Sequence, residues 1–287
     1  MKKLLVTGAN GLLAGRFLND FSEKFNIVST CHDDVLNPVK SVQYLKIDFT
    51  KEFNPDDFPS DVDVIIHLSQ SSEYRNFPSS APNIFDVNTN STAKLLDYAK
   101  DIKVEKFIYF STGGVYEPGS NIVNECSNLL SFEKFNYHFT SKFSAELLIR
   151  NYRDIFDCII VRPFFIYGEN QRNSMLIPGL IQKIKNKQII TLDGDQGIKV
   201  NPIYVADASR CLPFLISERV SGVFNLSGPE VLSLKQICDT IGKEIKVDPL
   251  YQYSGKPALD LVSSTKKMKT IGFSPNIHFK ETLSLLL

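Results

Sequence analysis

The stretch Thr7-Gly8-Ala9-Asn10-Gly11-Leu12-Leu13-Ala14 decides the fold of this chain. It follows a short apolar run and opens Leu12–Lys24, where apolar residues recur at helical spacing. Gly8 permits a tight turn, Gly11 lets another group approach the backbone, and Ala14 lets the helix pack closely on the strand. Unpaired N–H groups at the start of the helix attract phosphate. The stretch therefore predicts a strand–turn–helix unit that binds the pyrophosphate of a dinucleotide.

Short apolar runs alternate with helical patterns through the first part of the chain. Strands are predicted at Lys3–Val6, Ile27–Cys31, Gln43–Lys46, Val62–His67, Lys106–Ser111 and Cys158–Arg162. Helices are predicted at Leu12–Lys24, Asn83–Lys100 and Tyr137–Tyr152. Right-handed crossovers join such units into a doubly wound parallel sheet with helices on both faces. The fold class is α/β, of the Rossmann type.

The pattern changes beyond Gly168, where turn-rich loops and shorter elements include a predicted strand at Val200–Val205. We expect a dinucleotide-binding domain over residues 1–167, to which residues 200–226 return. Residues 168–199 and 227–287 form a smaller, interleaved C-terminal substrate-binding lobe in this prediction.

Charge and cysteine content exclude several classes of protein. Lys+Arg and Asp+Glu number 32 each among 287 residues, so no basic field favours nucleic acid as a partner. The cysteines are scattered and form no Cys-x-x-Cys pair, which favours reduced thiols over disulfides or a metal site; they are Cys31, Cys126, Cys158, Cys211 and Cys238. No apolar run approaches the roughly 20 residues that a membrane span needs. We expect a cytoplasmic protein with no membrane partner and no metal.

Further motifs follow the glycine-rich turn in a fixed order. They are Asp48, His67-Leu68, Asn88-x-x-x-Thr92, Phe110-Ser111-Thr112-Gly113-Gly114-Val115-Tyr116, Ser141-Lys142-x-x-x-Glu146, Arg162-Pro163-Phe164-x-x-Tyr167-Gly168, Asn201-Pro202-Ile203-Tyr204-Val205-x-Asp207 and Ile271-Gly272-Phe273-x-Pro275. With this ordered set the chain resembles the extended short-chain dehydrogenase/reductases, the NAD-dependent epimerase/dehydratase family that modifies nucleotide-linked sugars. The resemblance covers nearly the whole chain.

The resemblance implies roles for individual residues. Thr112 is expected to hydrogen-bond the sugar oxygen that is oxidised or reduced, Lys142 to hold the nicotinamide ribose, and Asp48 to meet the adenine amine. The implied cofactor-binding residues are Gly8, Asn10, Gly11, Leu12, His32, Asp48, Leu68 and Lys142. The implied residues for the nucleotide-sugar substrate are Thr112, Arg162, Tyr167, Arg172 and Asn201, with a plain polar loop as the alternative for Arg172.

Relatives pair through the helices that correspond to Asn83–Lys100 and Tyr137–Tyr152, so the resemblance also implies a homodimer. Both predicted helices carry apolar residues on more than one face, which is consistent with burial on two sides. The usual setting of such enzymes is polysaccharide biosynthesis.

The catalytic motif departs from that of the family. The family has Tyr-x-x-x-Lys, but His138 stands four residues before Lys142, and Tyr137 stands five before it. Residues four apart share a helix face, whereas Tyr137 points roughly 100° away. Three alternatives follow: His138 is the acid/base, a π-bulge brings Tyr137 into place, or the proton-relay residue is lost.

The expected cofactor is NADP or NAD. NAD-binding relatives carry an acid at the end of the second strand, for the ribose 2′-hydroxyl, whereas this strand ends in Cys31 and His32. The missing carboxylate removes repulsion against a 2′-phosphate, which Arg16 or His32 can approach, although Asp33 can still serve a ribose if the strand runs longer. This favours NADP.

The expected reaction is hydride transfer at a ring carbon of a nucleotide-linked sugar, C4 above all. The short chain favours a 4-ketoreductase over a 4-epimerase, and a non-catalytic cofactor-binding sensor is the alternative from another class. Relatives that remove water across C5 and C6 carry Asp-Glu after the catalytic Thr, where this chain has Gly113-Gly114. The two glycines argue against a 4,6-dehydratase. They also supply no thiol of the kind that GDP-fucose synthases use.

Overall fold

The computed structural model describes all 287 residues. The strands are β1 Lys3–Thr7, β2 Asn26–Cys31, β3 Val42–Lys46, β4 Val64–His67, β5 Lys106–Phe110, β6 Asp157–Pro163, β7 Ile166–Tyr167, β8 Ile189–Leu192, β9 Lys199–Val200, β10 Ile203–Tyr204, β11 Gly222–Leu226, β12 Leu232–Ser233 and β13 Leu250–Tyr253. The α-helices are α1 Leu12–Phe21, α2 Ala81–Phe85, α3 Ser91–Asp101, α4 Tyr137–Arg150, α5 Leu176–Lys185, α6 Val205–Ser217, α7 Leu234–Ile245, α8 Lys266–Thr270 and α9 Leu283–Leu286. Asp86–Asn90 forms a π-turn, and 3-10 turns lie at Pro55–Asp57, Gly113–Val115, Phe132–Lys134 and Phe279–Thr282.

Seven strands form one sheet in the order β11-β6-β5-β4-β1-β2-β3. Pairing is parallel from β6 across to β3, with Leu4 of β1 opposite Ile27 on one side and Val64 on the other. All three of these side chains are fully buried, as expected when helices cover both faces of a parallel sheet. The predicted doubly wound sheet is confirmed, and the carboxyl ends of β1, β4 and β5 share one edge.

The chain divides into two interleaved compact units. The first unit comprises residues 1–115, 131–162 and 209–224; the second comprises 116–130, 163–208 and 225–287. Residues 116–130 were expected in the dinucleotide-binding part, but they belong to the second unit. There the hydroxyl of Tyr116 donates to Asn225 Oδ1 at 2.8 Å, and the N–H of Val123 donates to the carbonyl of Val262 at 2.8 Å. The return to the first unit is also shorter than predicted, at 209–224.

Within the second unit, three short two-stranded sheets pair β7 with β10, β9 with β12, and β8 with β13. Helix α7 begins at a capping box in which Ser233 and Gln236 bond each other's backbone. The buried carboxylate of Asp207 accepts the N–H groups of Asn276 and Ile277, each at 2.8 Å, which ties the C-terminal segment to α6.

Two predicted elements are interrupted. The helix predicted over Asn83–Lys100 is α2, a π-turn and α3, because Asn88 and Thr89 bond Ser141 of α4 at 2.9 and 3.0 Å. The strand predicted over Val200–Val205 is divided between β9 and β10. Its break falls at Asn201-Pro202, since proline has no N–H to donate to a partner strand.

Three further features concern the expected absences. No helix has the length and apolar character needed to cross a bilayer, and the cytoplasmic location stays a prediction. All five cysteines are free. The structure contains no group of three or more His, Cys, Asp or Glu side chains arranged to hold a metal ion.

Helix α4 is held against the sheet by a buried ion pair. Glu146 is fully buried, and its two oxygens accept from Nε and Nη2 of Arg162, on β6, at 3.0 and 2.6 Å. Ala145 and Ile149, on the same side of the helix, join the apolar core. Arg150 reaches the same carboxylate from the surface, at 3.7 Å.

Replacing Glu146 with leucine should lower the free energy of unfolding by about 3–5 kcal/mol, because Arg162 is then buried without its carboxylate. Arg150→Gln is the control, since an exposed partner contributes about 0–1 kcal/mol. The chain has no tryptophan, so urea unfolding followed by circular dichroism is the suitable measurement. Equal losses in the two variants would contradict the structural role of the pair.

Candidate active site

The glycine-rich turn joins β1 to α1 through backbone contacts with β2. The N–H groups of Gly8 and Ala9 donate to the carbonyl of Thr30 at 3.0 and 2.8 Å, and Gly11 donates to the carbonyl of Gly8 at 2.8 Å. Gly8 has φ +85°, and a Cβ there would lie 3.1 Å from Ser69 Oγ. Both the conformation and the space therefore require glycine at position 8.

The start of α1 is built to receive an anion. Its N-cap is Gly11, no side chain caps the helix, and the first turn contains no acidic residue. The N–H groups of that turn are therefore not blocked by a side chain, and the helix dipole favours negative charge there. Asn10 has another role, since its amide donates to the carbonyl of Asp34 and accepts from Leu36 at 3.0 and 3.1 Å. The turn fits a pyrophosphate, with Asn10 holding the loop after β2.

The loop after β2 is acidic. His32 Nε2 lies 2.8 Å from the Asp33 carboxylate, and Lys46 lies 3.3 Å from that of Asp34. Arg16 points along its own helix, with Nε 2.7 Å from Asp20. These pairs engage both basic groups that were predicted to approach a 2′-phosphate.

Asp48 follows β3 and is the residue predicted to meet an adenine amine. Its carboxylate accepts the N–H and the hydroxyl of Thr50 at 3.0 and 2.7 Å, and Lys51 lies 3.2 Å away. Chiefly through the Thr50 hydroxyl, these contacts lower the pKa of Asp48, so the group is an anionic acceptor. Its adenine-binding role stays a prediction.

A closed hydrogen-bond network lies beneath the turn, centred on the fully buried His67. Thr92 donates its hydroxyl to the carbonyl of Asn88, so it accepts from Nε2 of His67 at 3.1 Å. Nδ1 of His67 then accepts from the hydroxyl of Thr7 at 2.8 Å, and that oxygen accepts the N–H of Leu68. Burial lowers the pKa of His67 to about 3, which matches this neutral tautomer.

Thr112 lies at the carboxyl end of β5, where the ligands of such sheets collect. Its Oγ1 accepts the N–H of Gly114 at 3.1 Å and donates to no group of the chain. Beside it, Ser111 Oγ is buried and has no hydrogen-bond partner. A Cβ on Gly114 would lie 2.5 Å from the ring of Phe139, so Phe139 fills the space that a side chain at position 114 would need.

Lys142 is the buried cation of the site. Only 2% of the residue is exposed, and its ammonium lies 4.4 Å from the ring centroid of Tyr109. Burial lowers the pKa of Lys142 to about 7, and the Glu146 carboxylate one turn further along offsets part of that effect. The Lys142 ammonium therefore loses its proton at a lower pH than the ammonium of a surface lysine does.

His138 shares the inner face of α4 with Lys142. Its ring lies 4.6 Å from that of Tyr74 and 5.7 Å from that of Phe139, measured between centroids. Nδ1 is buried and has no hydrogen-bond partner. Burial, with the charges of Lys142 and Arg75, lowers the pKa of His138 to about 3. The imidazole is therefore neutral at physiological pH and offers a lone pair as a proton acceptor.

Tyr137 has a different environment. Its ring stacks on Phe77 with centroids 4.7 Å apart and planes 20° apart, and its hydroxyl donates to the carbonyl of Ala81 at 3.1 Å. Helix α4 is a regular α-helix from Tyr137 onward, and the π-turn of this region lies in Asp86–Asn90 instead. The structure therefore contains no bulge that would exchange Tyr137 for His138.

The residues predicted to bind substrate are mostly buried. Arg162 is 1% exposed and paired with Glu146 in the first unit. In the second unit, Tyr167 donates to or accepts from Thr282 at 3.0 Å, and Asn201 bonds Ser227 and Ser263. These three side chains support the fold and present no open surface to a substrate. Arg172 is exposed on a loop of the second unit.

The first unit therefore brings together Thr112, His138, Lys142 and the glycine-rich turn. Three contacts were not foreseen: Tyr74 against His138, Phe139 over Gly114, and the bonds from Asn88 to Ser141. The sequence contains no signal for these three contacts. The buried position of Glu146 did have one, because Glu146 continues the four-residue spacing from His138 through Lys142.

Comparison with known proteins adds to this geometry. Residues 4–227 match the model of the NAD dependent epimerase/dehydratase family. The low-salt glycan biosynthesis protein Agl12 of Haloferax volcanii is 28% identical over 79% of this chain and 75% of its own. An uncharacterized UDP-glucose epimerase of Bacillus subtilis, YtcB, is 25% identical over 98% of this chain and 96% of its own.

Solved structures agree in fold. UDP-glucuronic acid 4-epimerase from Bacillus cereus, in complex with UDP-glucuronic acid and NAD, superposes with a TM-score of 0.85 at 21% identity, covering 99% of this chain and 97% of that one. UDP-glucose 4-epimerase of Thermus thermophilus, in complex with NAD, gives 0.81 at 18% identity with the same coverage. With the family model matched over most of its length, the chain belongs to the NAD-dependent epimerase/dehydratase family of enzymes.

Proposed function

We propose that the protein is a 4-epimerase of a nucleotide-linked sugar, with His138 as the acid/base. The observation that carries this proposal is the position of His138 one helical turn before the buried Lys142 on α4, with its Nδ1 buried and unpartnered. Thr112, with a hydroxyl proton that no group of the chain accepts, would orient the sugar oxygen at C4. NAD, when bound, supplies the acceptor and donor of the hydride at that carbon.

Proton balance favours epimerisation over ketoreduction. In epimerisation, His138 takes the proton of the sugar hydroxyl, holds it as an imidazolium, and returns it to the same oxygen, so no net proton is consumed. A ketoreduction consumes one proton in each turnover, and His138 would have to collect it from solvent as an imidazolium. Burial and the charge of Lys142 disfavour that cation. The imidazolium forms in both reactions, but only ketoreduction requires the weakly basic His138 to take a proton up from solvent in every turnover.

The length of the chain does not favour a ketoreductase over a 4-epimerase. The 4-epimerase structures are covered to 97% by this chain, so an epimerase of this fold needs no greater length. Some relatives are dTDP-D-glucose 4,6-dehydratases, but Phe139 fills the space above Gly114. An acidic side chain at position 114, of the kind that the elimination would use, would have to displace the Phe139 ring.

The preferred cofactor is NAD in this proposal. Gly8, Gly11 and the uncapped start of α1 would hold the pyrophosphate, and Lys142 would hold the nicotinamide ribose. Asp33 and Asp34 follow β2 and pair with the basic groups beside them, His32 and Lys46, so a 2′-phosphate there would compete with carboxylates. His32 and Arg16, which favoured NADP in the sequence, are paired with acids.

We also propose a homodimer. The apolar surface that supports it lies on α4 alone, whereas the sequence suggested both α3 and α4. Leu95, Leu96 and Tyr98 of α3 are fully buried in the chain's own core, so they form no outer face. On α4, Leu147 and Leu148 are 47% and 36% exposed. This pair of adjacent leucines supports a second copy packing on α4.

The acid/base prediction compares two adjacent residues. His138→Phe should lower turnover by about 10²–10⁴-fold, the usual contribution of an acid/base group, with NAD affinity unchanged. Tyr137→Phe is the control and should match the parent, because its hydroxyl is bound to the Ala81 carbonyl. Formation of the 4-epimer from UDP-glucose and UDP-glucuronic acid, followed by NMR, is the measurement.

The opposite result, an active His138→Phe with an inactive Tyr137→Phe, would assign the role to Tyr137. If the parent binds NAD but transfers no hydride with a wider set of nucleotide sugars, the protein is a non-catalytic binder and the proposal fails.

The affinities of the protein for NAD and NADP can be measured by calorimetry. NAD should bind about 10-fold or more tightly than NADP, because the basic groups near the end of β2 already pair with carboxylates and a 2′-phosphate would have to compete with those carboxylates. Gly11→Val should abolish binding of both, since a side chain there blocks the approach of the pyrophosphate. Circular dichroism checks that the variant folds. Tighter binding of NADP, or parent-like binding by folded Gly11→Val, would contradict this account.

The molar mass of the protein in solution can be measured by light scattering at micromolar concentration. The parent should have twice the chain mass of 32.4 kDa. Leu147→Glu combined with Leu148→Glu should give a monomer, because two carboxylates cannot be buried unpaired in an apolar contact. Phe132→Glu is the control, since Phe132 is 89% exposed outside α4. A monomeric parent would refute the dimer.

A further inference from the structure

Nothing in the chain orients the imidazole of His138 by hydrogen bonding. Catalytic histidines usually have one ring nitrogen bound to a carboxylate or carbonyl, which fixes the direction of the other. Here Nδ1 is buried and unpartnered, although the backbone of His138 is fixed, its carbonyl accepting from Ser141 Oγ at 2.8 Å. Packing must therefore set the direction of the ring.

That packing comes from residues 70–80, the segment between β4 and α2. The tilted contact of Tyr74 with His138, with centroids 4.6 Å and planes 43° apart, is closer than that of Phe139. Three residues further on, Phe77 stacks on Tyr137. The segment thus places one aromatic ring against each of the first two residues of α4.

The segment is itself anchored to the helices that carry the site. The N–H of Ser71 donates to Asn88 Oδ1 at 2.9 Å, and its hydroxyl bonds Asn83 at 2.6 Å. The N–H of Glu73 donates to that hydroxyl at 3.1 Å. Asn88 also donates to Ser141 Oγ, so one asparagine connects the segment to α4.

We propose that Tyr74 is a positioning residue that fixes the orientation of the His138 imidazole, in place of the usual hydrogen-bonded partner. The inference rests on the proposed function of His138 as acid/base. The ring of Tyr74 covers the imidazole and restricts its rotation, so the unpartnered nitrogen keeps one direction. Arg75 lies over the Tyr74 ring, 5.3 Å from its centroid, and adds positive charge that disfavours an imidazolium.

The test compares three variants in the NAD-loaded protein. Tyr74→Leu should lower kcat about 10-fold, the scale of one lost aromatic pair, with KM and NAD affinity little changed. Tyr74→Phe should keep most of the parent kcat, because it retains the aromatic ring that packs against the imidazole. Phe77→Leu is the matched control and should leave kcat unchanged, since its ring contacts Tyr137.

A second readout is independent of turnover. The Tyr74 ring shifts the NMR signals of the His138 ring protons, identified by their loss in His138→Phe. These signals should move in Tyr74→Leu and stay near the parent position in Tyr74→Phe and Phe77→Leu. Parent-like signals and kcat in Tyr74→Leu, or a Tyr74→Phe variant as slow as Tyr74→Leu, would overturn the inference while leaving the proposed function intact. Full turnover in His138→Phe would instead overturn the proposed function, and the positioning role with it.

Discussion

The buried ion pair between Glu146 and Arg162 is the contact on which the rest of the site depends. A carboxylate and a guanidinium deep in a protein are each costly to leave alone, so the pair fixes α4 against β6 at one register. With Glu146 directed inward, the four-residue spacing of the helix places Lys142 and His138 on the same buried side. Lys142 is thereby buried, and His138 is half-buried on the same side of the helix.

Exclusion of water determines the electrostatics of the site. The charged forms of Lys142 and His138 lack full hydration because Lys142 is buried and His138 is half-buried, and the side chains lie one helical turn apart. A second positive charge is therefore disfavoured both by burial and by repulsion from the first. Glu146 partly compensates Lys142, and nothing comparable compensates His138. Lys142, with its pKa near 7, is therefore the group that carries the positive charge below that pH, while the imidazole stays neutral. A tyrosine in the same place would respond oppositely, since its charged form is an anion that Lys142 stabilises.

Local chemistry made much of the fold predictable. The glycine-rich turn, the strands and the order of the motifs depend on near neighbours in the chain, and these features carry into the structure. The π-turn at Asp86–Asn90 was not predictable from local sequence, because it depends on the hydrogen bond from Asn88 to Ser141, which lies 53 residues further along the chain. The contact of Tyr74 with His138 was hidden for the same reason, since tertiary bonds set the course of residues 70–80.

Motif residues also gave no indication of the direction in which their side chains point. Arg162 and Asn201 stand in motifs that the family resemblance assigned to a substrate pocket, and both are polar, which suggested substrate contacts. In the structure each satisfies its hydrogen bonds inside the protein. A polar side chain committed to a buried partner looks the same in the sequence as one that faces a pocket.

The most direct test of this account is an NMR titration of His138. The protein has four histidines, and with carbon-13 in their imidazole rings the His138 signal is assigned by its absence in the His138→Phe variant. The account predicts that this signal stays at its neutral position from about pH 8 to about pH 5, because burial and Lys142 hold its pKa near 3, far below the ordinary 6.5. A titration midpoint at 6.5 or above would contradict the account, because burial and the charge of Lys142 would then not control the protonation of the imidazole.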